Sequence, residues 1–227
     1  MSLVTLIKPR LSCRSVVCAT SLFIAILTAA PASAQLAATD AGRYDNTGFH
    51  DTEFNGYMTG VFDDTFVFRS FFAFDASLIP TDANLANAQL ALFNPSGGFG
   101  SDLGSETIEI RGLNLSSVSV DSLLDGSAGL DGYDALGSGT LFGSAELSAS
   151  DAGVWVRIAL NQAFVDFVQA NGSGTIVLGA SLSSLSAADA GFNEFVFAGT
   201  DGSPAPRLEF TPVPEPSTYA LGAMLLV

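Results

Sequence analysis

The stretch from Thr65 to Asp75, TFVFRSFFAFD, indicates the fold class of this 227-residue chain. Alternate residues of an extended strand share one face, and on one face of this stretch four of the five are phenylalanines: Phe66, Phe68, Phe72 and Phe74. A period of two predicts a β-strand with one buried side. Because phenylalanine is among the residue types most often buried, the row is predicted to be core and not a surface on which a ligand stacks.

Further stretches have the same strand character, and glycine, aspartate, asparagine, serine and proline separate them. In the clearest one, Val154–Leu160, aliphatic residues alternate with Trp155, Arg157 and Ala159. The others are Ala88–Phe93, Thr107–Arg111, Thr140–Leu147, Thr175–Ser181, Glu194–Ala198 and Arg207–Thr211. Many short strands with turn residues between them predict an all-β fold, either a β-sandwich or a jelly roll.

One short helix is predicted among the strands. After Asn161, the residues Phe164, Phe167 and Val168 have the i, i+3, i+4 spacing of a helix face, and Asn171-Gly172 provides a stop. The Gly-, Asp- and Ser-rich stretches 94–105 and 125–139 are predicted to be long loops. Connections of that length are often functional, so we expect any binding site to lie there.

The first 34 residues have the pattern of a secretory signal peptide. Three basic residues precede the apolar run of residues 16–30: Lys8, Arg10 and Arg14. Ala32 and Ala34 have the spacing of an A-x-A cleavage site, so we expect signal peptidase to cut after Ala34. A membrane anchor is the alternative, but about 15 apolar residues fall short of the roughly 20 that span a bilayer.

Composition limits the chemistry of the exported part, residues 35–211. Both cysteines, Cys13 and Cys18, lie in the signal segment, so disulfides and thiolate metal sites are not expected in this domain. From Gln35 onward there are five arginines, no lysine and 23 acidic residues, a net charge of −18. Nucleic-acid binding depends on Lys and Arg to neutralise phosphates, so it is not expected here.

The segment Val213–Val227, VPEPSTYALGAMLLV, resembles the PEP-CTERM sorting signal of Gram-negative bacteria. The recognition box would be Pro214, Glu215 and Pro216, and the alternating prolines keep it extended. The resemblance implies processing by a membrane enzyme of the exosortase type. Only nine apolar residues follow and no basic residue closes the segment, so we expect residues 212–227 to be a truncated or degraded form of the signal.

The body of the chain supports this resemblance. Gly137–Leu182 and Asn193–Thr211 are similar to the extracellular domain common in PEP-CTERM proteins, and Arg69–Pro95 resembles the opening of DNRLRE-type jelly rolls. These families imply export, sorting to the envelope and association with exopolysaccharide. They imply no reaction and bring no active site.

Candidate catalytic groups are few. His50 is the only histidine and has no triad partner at a recognisable spacing, so it is interpreted as a structural hydrogen-bonding residue, and a zinc site is not expected. Glu106 and Glu109 should point to opposite faces of a strand, whereas Asp63-Asp64 and Asp75 could converge as a glycosidase pair. The simpler interpretation is that these aspartates form turns, with Asp75 capping the turn that follows it.

Calcium is the most plausible ion. The candidate ligands are aspartates spaced by glycines: Asp121, Asp125, Asp131 and Asp134. Carboxylate oxygens on a bendable backbone suit Ca²⁺, although the spacing is not that of an EF-hand. The alternative is Asp-Gly turns that need no metal.

These observations predict an exported, non-enzymatic protein of the cell envelope, the outer surface or the extracellular matrix, associated with exopolysaccharide or biofilm. Two alternatives stay open. The first is a dedicated carbohydrate-binding module, and the second is a hydrolase that acts on the polysaccharide.

Overall fold

The computed structural model describes residues 34–54, 56–63, 65–113, 118–172, 174–185 and 193–211. These residues form twelve strands: β1 (Ala34–Ala37), β2 (Asp40–Asp45), β3 (Thr59–Phe62), β4 (Phe66–Asp75), β5 (Asn84–Asn94), β6 (Phe99–Gly100), β7 (Ser105–Gly112), β8 (Leu141–Ser148), β9 (Val154–Ala159), β10 (Thr175–Leu182), β11 (Glu194–Val196) and β12 (Arg207–Thr211). The same residues form three α-helices: α1 (Val120–Leu124), α2 (Gly129–Ser138) and α3 (Gln162–Asn171). The all-β class predicted from the sequence is confirmed.

The strands form two antiparallel sheets. The smaller sheet has the order β1-β12-β5-β9. The larger has the order β6-β11-β3-β4-β10-β7-β8, and β2 also pairs with β4. One main core contains side chains from both sheets, among them Phe72, Leu90, Ile108, Ile158 and Leu208. The two sheets therefore share their inner faces, as in a sandwich.

Strand β4 contributes to the core from both of its faces. Phe72 and Phe74 lie in the main core, as the period of two predicts. Phe71 and Ala73 point to the other side and are equally buried. Phe66, at the start of the same row as Phe72, is 39% exposed, so the prediction that the whole row is core is wrong for its first part.

Helices α1 and α2 explain the burial of Phe71, because they cover the outer face of the larger sheet. They form a second core with that sheet: Tyr44, Phe71, Ala73, Leu113, Val118, Leu123, Ala135, Leu136 and Val177. The prediction of a single helix is therefore wrong, as is that of a loop over residues 125–139. A reciprocal pair of hydrogen bonds between Ser119 and Ser122 starts α1.

The predicted helix after Asn161 is confirmed as α3. The Asn161 side chain accepts hydrogen bonds from the backbone N–H groups of Ala163 and Phe164, which starts the helix. Phe164 and Val168 then lie buried in the main core. Among the described residues, no helix has both the length and the apolar character to cross a bilayer.

Candidate functional site

The outer face of the smaller sheet carries a set of aromatic and charged side chains. Its inner face is buried, so the residues between the buried ones point outward. Cross-strand pairing brings the outward residues of four strands together, with Arg207 and Arg157 on either side of Ala91 and Phe93 opposite Trp155. We call this surface the Trp155 face. It is formed by six side chains: Gln35, Phe93, Trp155, Arg157, Arg207 and Glu209.

An ion pair fixes one part of the Trp155 face. Arg157 Nε donates to Glu209 Oε2 at 2.7 Å, and Arg157 Nη2 donates to Glu209 Oε1 at 3.2 Å. The hydrogen bonds from Glu209 raise the pKa of Arg157 above its usual value. Gln35 Nε2 donates to the same carboxylate at 3.5 Å. A two-bonded arginine–carboxylate pair has a defined geometry, so this part of the surface is well ordered.

Aromatic stacking fixes the other part. The guanidinium carbon of Arg207 lies 4.3 Å from the centre of the Trp155 ring. Arg207 Nη1 also donates to Gln35 Oε1 at 3.1 Å. Phe93 meets Trp155 edge to face, with ring centres 5.7 Å apart. These contacts hold Arg207 and Trp155 in place before any ligand arrives, which lowers the entropic cost of binding.

The Trp155 face is partly open to solvent: Gln35 and Arg157 are exposed, whereas Phe93, Trp155 and Arg207 are half-buried. The side chain of Arg157 is 48% exposed, while Glu209 beneath it is 11% exposed. Ala91, which pairs with both arginine positions, is fully buried. With two arginines and one glutamate, the face carries a net charge of +1 in a chain whose net charge is −15.

A second aromatic surface lies at the start of β4. Arg43 stacks between the rings of Phe54 and Phe68, at 4.6 and 4.9 Å. Arg43, Phe54 and Phe68 line a cavity of about 270 Å³. Phe66 and Phe49 also line it, and Phe49 is 64% exposed. Burial lowers the pKa of Arg43, and Asp51 and Asp45 partly oppose that effect. Arg43 therefore already has aromatic and acidic partners within the protein.

His50 has the structural role predicted for it. Its Nδ1 lies 3.0 Å from the carbonyl oxygen of Arg43, and its ring stacks on Tyr44 with centres 5.0 Å apart. The ring also packs edge-on against Phe71. These contacts anchor the loop after β2 to the second core.

The carboxylates considered as a catalytic pair do not come together. Asp63 lies in the turn before β4 and Asp75 is the last of the ten residues of β4, so they lie about 30 Å apart at the rise of a strand. The idea that they could converge is therefore wrong. Asp75 accepts hydrogen bonds from the backbone N–H and hydroxyl of Ser77, which confirms its predicted capping role. Asp64 lies outside the described residues.

The two glutamates of β7 point to opposite faces, as predicted. Glu106 is buried and accepts a hydrogen bond from the Ser184 hydroxyl. Glu109 lies on the outer face and accepts from Arg111 Nε at 3.1 Å. Neither glutamate can therefore serve as the partner of the other.

The four candidate calcium ligands lie on the two helices of the second core. Asp121 is in α1 and Asp125 ends it; Asp131 and Asp134 are in α2. Asp125 accepts from the backbone N–H of Ser127, and hydrogen bonds from Ser127 lower its pKa. Asp134 Oδ1 lies 3.7 Å from Arg69 Nη1. Among the residues that the structure describes, no three metal-binding side chains are grouped, so calcium binding stays a prediction.

The residues of the processing signals fall mostly outside the described part of the chain. Ala32 of the cleavage site is one of these, and so are Pro214, Glu215 and Pro216 of the sorting box. Ala34 is the first described residue and pairs with Phe210 in the smaller sheet. The predicted cleavage after Ala34 stays a prediction.

The sequence predicts that Trp155 and Arg157 share one face of a strand, but it does not indicate their partners. Gln35 and Glu209 are 174 positions apart in sequence, and Arg157 and Glu209 are 52 apart. The alternation in β9 and β12 predicted that Arg157 and Glu209 point outward. It did not indicate which strands are neighbours, and only that information brings the residues together.

Comparison with protein-family models gives no match to this chain. Comparison with curated proteins likewise gives no significant match.

Proposed function

We propose that this protein is exported and acts as a non-enzymatic component of the envelope or extracellular matrix that contacts polysaccharide through the Trp155 face. A sugar ring presents an apolar side and a rim of hydroxyl groups. An indole offers a large, rigid surface that packs against the apolar side of the sugar. Guanidinium and amide groups offer hydrogen bonds to its hydroxyl groups. The Trp155 face combines these groups on one sheet, and this observation supports the proposal.

Affinity electrophoresis tests the proposal directly. The protein should migrate more slowly in a gel that contains exopolysaccharide from the producing cell than in a gel without it. Trp155→Ala should abolish most of the retardation, because it removes the aromatic surface and leaves Arg207 without its support. Phe49→Ala is the matched control, since it removes an exposed ring from a different surface. Equal retardation of both variants would contradict the assignment of the face.

Export and sorting are part of the proposal and rest on the two terminal segments. Signal peptidase would release the domain with Gln35 at its N-terminus, and an exosortase-type enzyme would recognise Pro214, Glu215 and Pro216. The domain would be a jelly roll presented at the outer surface or secreted. Mass spectrometry of the mature protein should find Gln35 first, and an intact Met1 in a cytosolic product would refute the export step.

A further inference from the structure

Arg207 differs from the other arginines of the described domain in its surroundings. Three of the others pair with a carboxylate: Arg69 with Asp134, Arg111 with Glu109 and Arg157 with Glu209. The fourth, Arg43, is stacked between two rings near Asp45 and Asp51. In the described part of the chain, no carboxylate lies within ion-pair distance of Arg207. Its charge is therefore available to a ligand.

Most of the hydrogen-bonding capacity of Arg207 is also available. A guanidinium has five N–H donors, and within the described residues one of them is used, from Nη1 to Gln35. Stacking on Trp155 fixes the plane of the group, so less freedom is lost when an anion binds along its edge. A planar guanidinium held in this way matches the two oxygens of a carboxylate.

The second arginine of the face extends the same surface. Arg207 and Arg157 both lie next to Ala91 on its two neighbouring strands. Two strand spacings separate them, about 10 Å. Glu209 takes two of the five donors of Arg157, and the other three have no partner among the described residues. The neutral side chains around the two arginines can contact uncharged sugars; these are Gln35, Phe93 and Trp155.

We infer that the Trp155 face binds an acidic polysaccharide, with Arg207 holding the carboxylate of a uronic acid unit and Trp155 contacting the adjoining sugar. This inference rests on the proposed function and adds the ligand class. From Gln35 onward the chain carries a net charge of −18, which limits the ligand further. A polymer with a carboxylate on every sugar is repelled by the rest of the domain, whereas one with isolated carboxylates places its charge at the face alone.

Gellan is a suitable probe, because its repeat carries one glucuronate among neutral sugars. The matched ligand is gellan whose carboxyl groups have been reduced to alcohols, which keeps the backbone and removes the charge. The full mature domain should bind gellan at least about tenfold more tightly than the reduced polymer, as expected for the loss of one charge-assisted contact. The measurement is affinity electrophoresis over a series of polymer concentrations.

Protein variants complete the test. Arg207→Gln should remove the preference for the charged polymer: its affinity for gellan should fall about tenfold, to the level of its affinity for reduced gellan. Arg69→Gln is the matched control, since Arg69 also stacks on an aromatic ring, Tyr133, but lies on the larger sheet. Its affinity should equal that of the unmodified protein.

Three outcomes separate the inference from the proposed function. Equal binding of native and reduced gellan, lost in Trp155→Ala, overturns the acidic ligand and leaves glycan contact standing. Binding of gellan that Arg207→Gln does not weaken overturns the role of Arg207. Absence of binding to both probes and to the producer's own exopolysaccharide overturns the proposed function itself.

Discussion

Gly179 sets how closely α2 approaches the larger sheet, and its replacement tests the second core. It lies in β10 on the face that α2 covers. A Cβ atom added to Gly179 would lie 2.3 Å from the carbonyl oxygen of Leu136 and 2.9 Å from the Cα of Leu136. Both are backbone atoms of the helix, so a change of side-chain rotamer cannot relieve the clash. Ordinary contact begins at 3.4 Å, so α2 would have to move outward by about 1 Å.

Gly179→Ala is therefore expected to destabilise the domain. Overpacking a well-packed interior costs about 1–3 kcal/mol of unfolding free energy. For a domain of this size, that cost corresponds to a melting temperature lower by about 2–12 °C. Urea denaturation followed by Trp155 fluorescence gives the free energy, and differential scanning calorimetry gives the melting temperature. The Trp155 face is on the other sheet, so polysaccharide contact should be retained by the folded variant.

Gly97→Ala is the matched control for this experiment. Gly97 lies in a turn, its φ is ordinary, and no neighbouring heavy atom lies within 4 Å of the position that a methyl group would take. The added methyl group should leave the unfolding free energy unchanged or raise it slightly. If Gly179→Ala is as stable as Gly97→Ala, then α2 does not pack against β10 as described, and the account of the second core fails.

Three further predictions concern the same helices and their surroundings. Leu136→Ala should lower the unfolding free energy by about 2–5 kcal/mol because Leu136 is fully buried, whereas Leu130→Ala, 55% exposed, should change it by less than about 0.5 kcal/mol. Burial raises the pKa of Tyr44 to about 12, so the unfolded chain releases this proton first. Stability should therefore fall as the pH rises from about 10 to 12, and fall less in Tyr44→Phe, as followed by chemical denaturation at each pH. Calcium bound near Asp125 would raise the melting temperature relative to EDTA-treated protein, and Asp125→Asn would remove that difference; equal melting temperatures would argue against the ion.

The strand pattern shows where sequence reasoning works. In β9 and β12 a period of two separates buried residues such as Ile158 and Leu208 from outward residues such as Arg157 and Glu209. This separation follows from the geometry of a single strand, so it needs no information about neighbours. The same applies to α3, whose start at Asn161 and apolar spacing are both local signals.

The helices α1 and α2 show where it fails. Residues 125–139 are rich in glycine, aspartate and serine, which favour turns when considered locally. Their few apolar residues are enough for a helix because the outer face of the larger sheet offers Phe71 and Val177 as partners. Tertiary packing outweighs weak local preference in such a segment.

The sequence alone therefore determined that the described domain is built mostly from strands, which residues of β9 and β12 turn inward, and where α3 begins. Each of these depends on contacts between residues close together in the chain. Only the tertiary structure decided that β4 is buried on both faces, and that Gln35, Trp155, Arg207 and Glu209 share one surface. The physical reason is that strand order and register are fixed by the packing of the whole domain, and side chains up to 174 positions apart meet only when both are set.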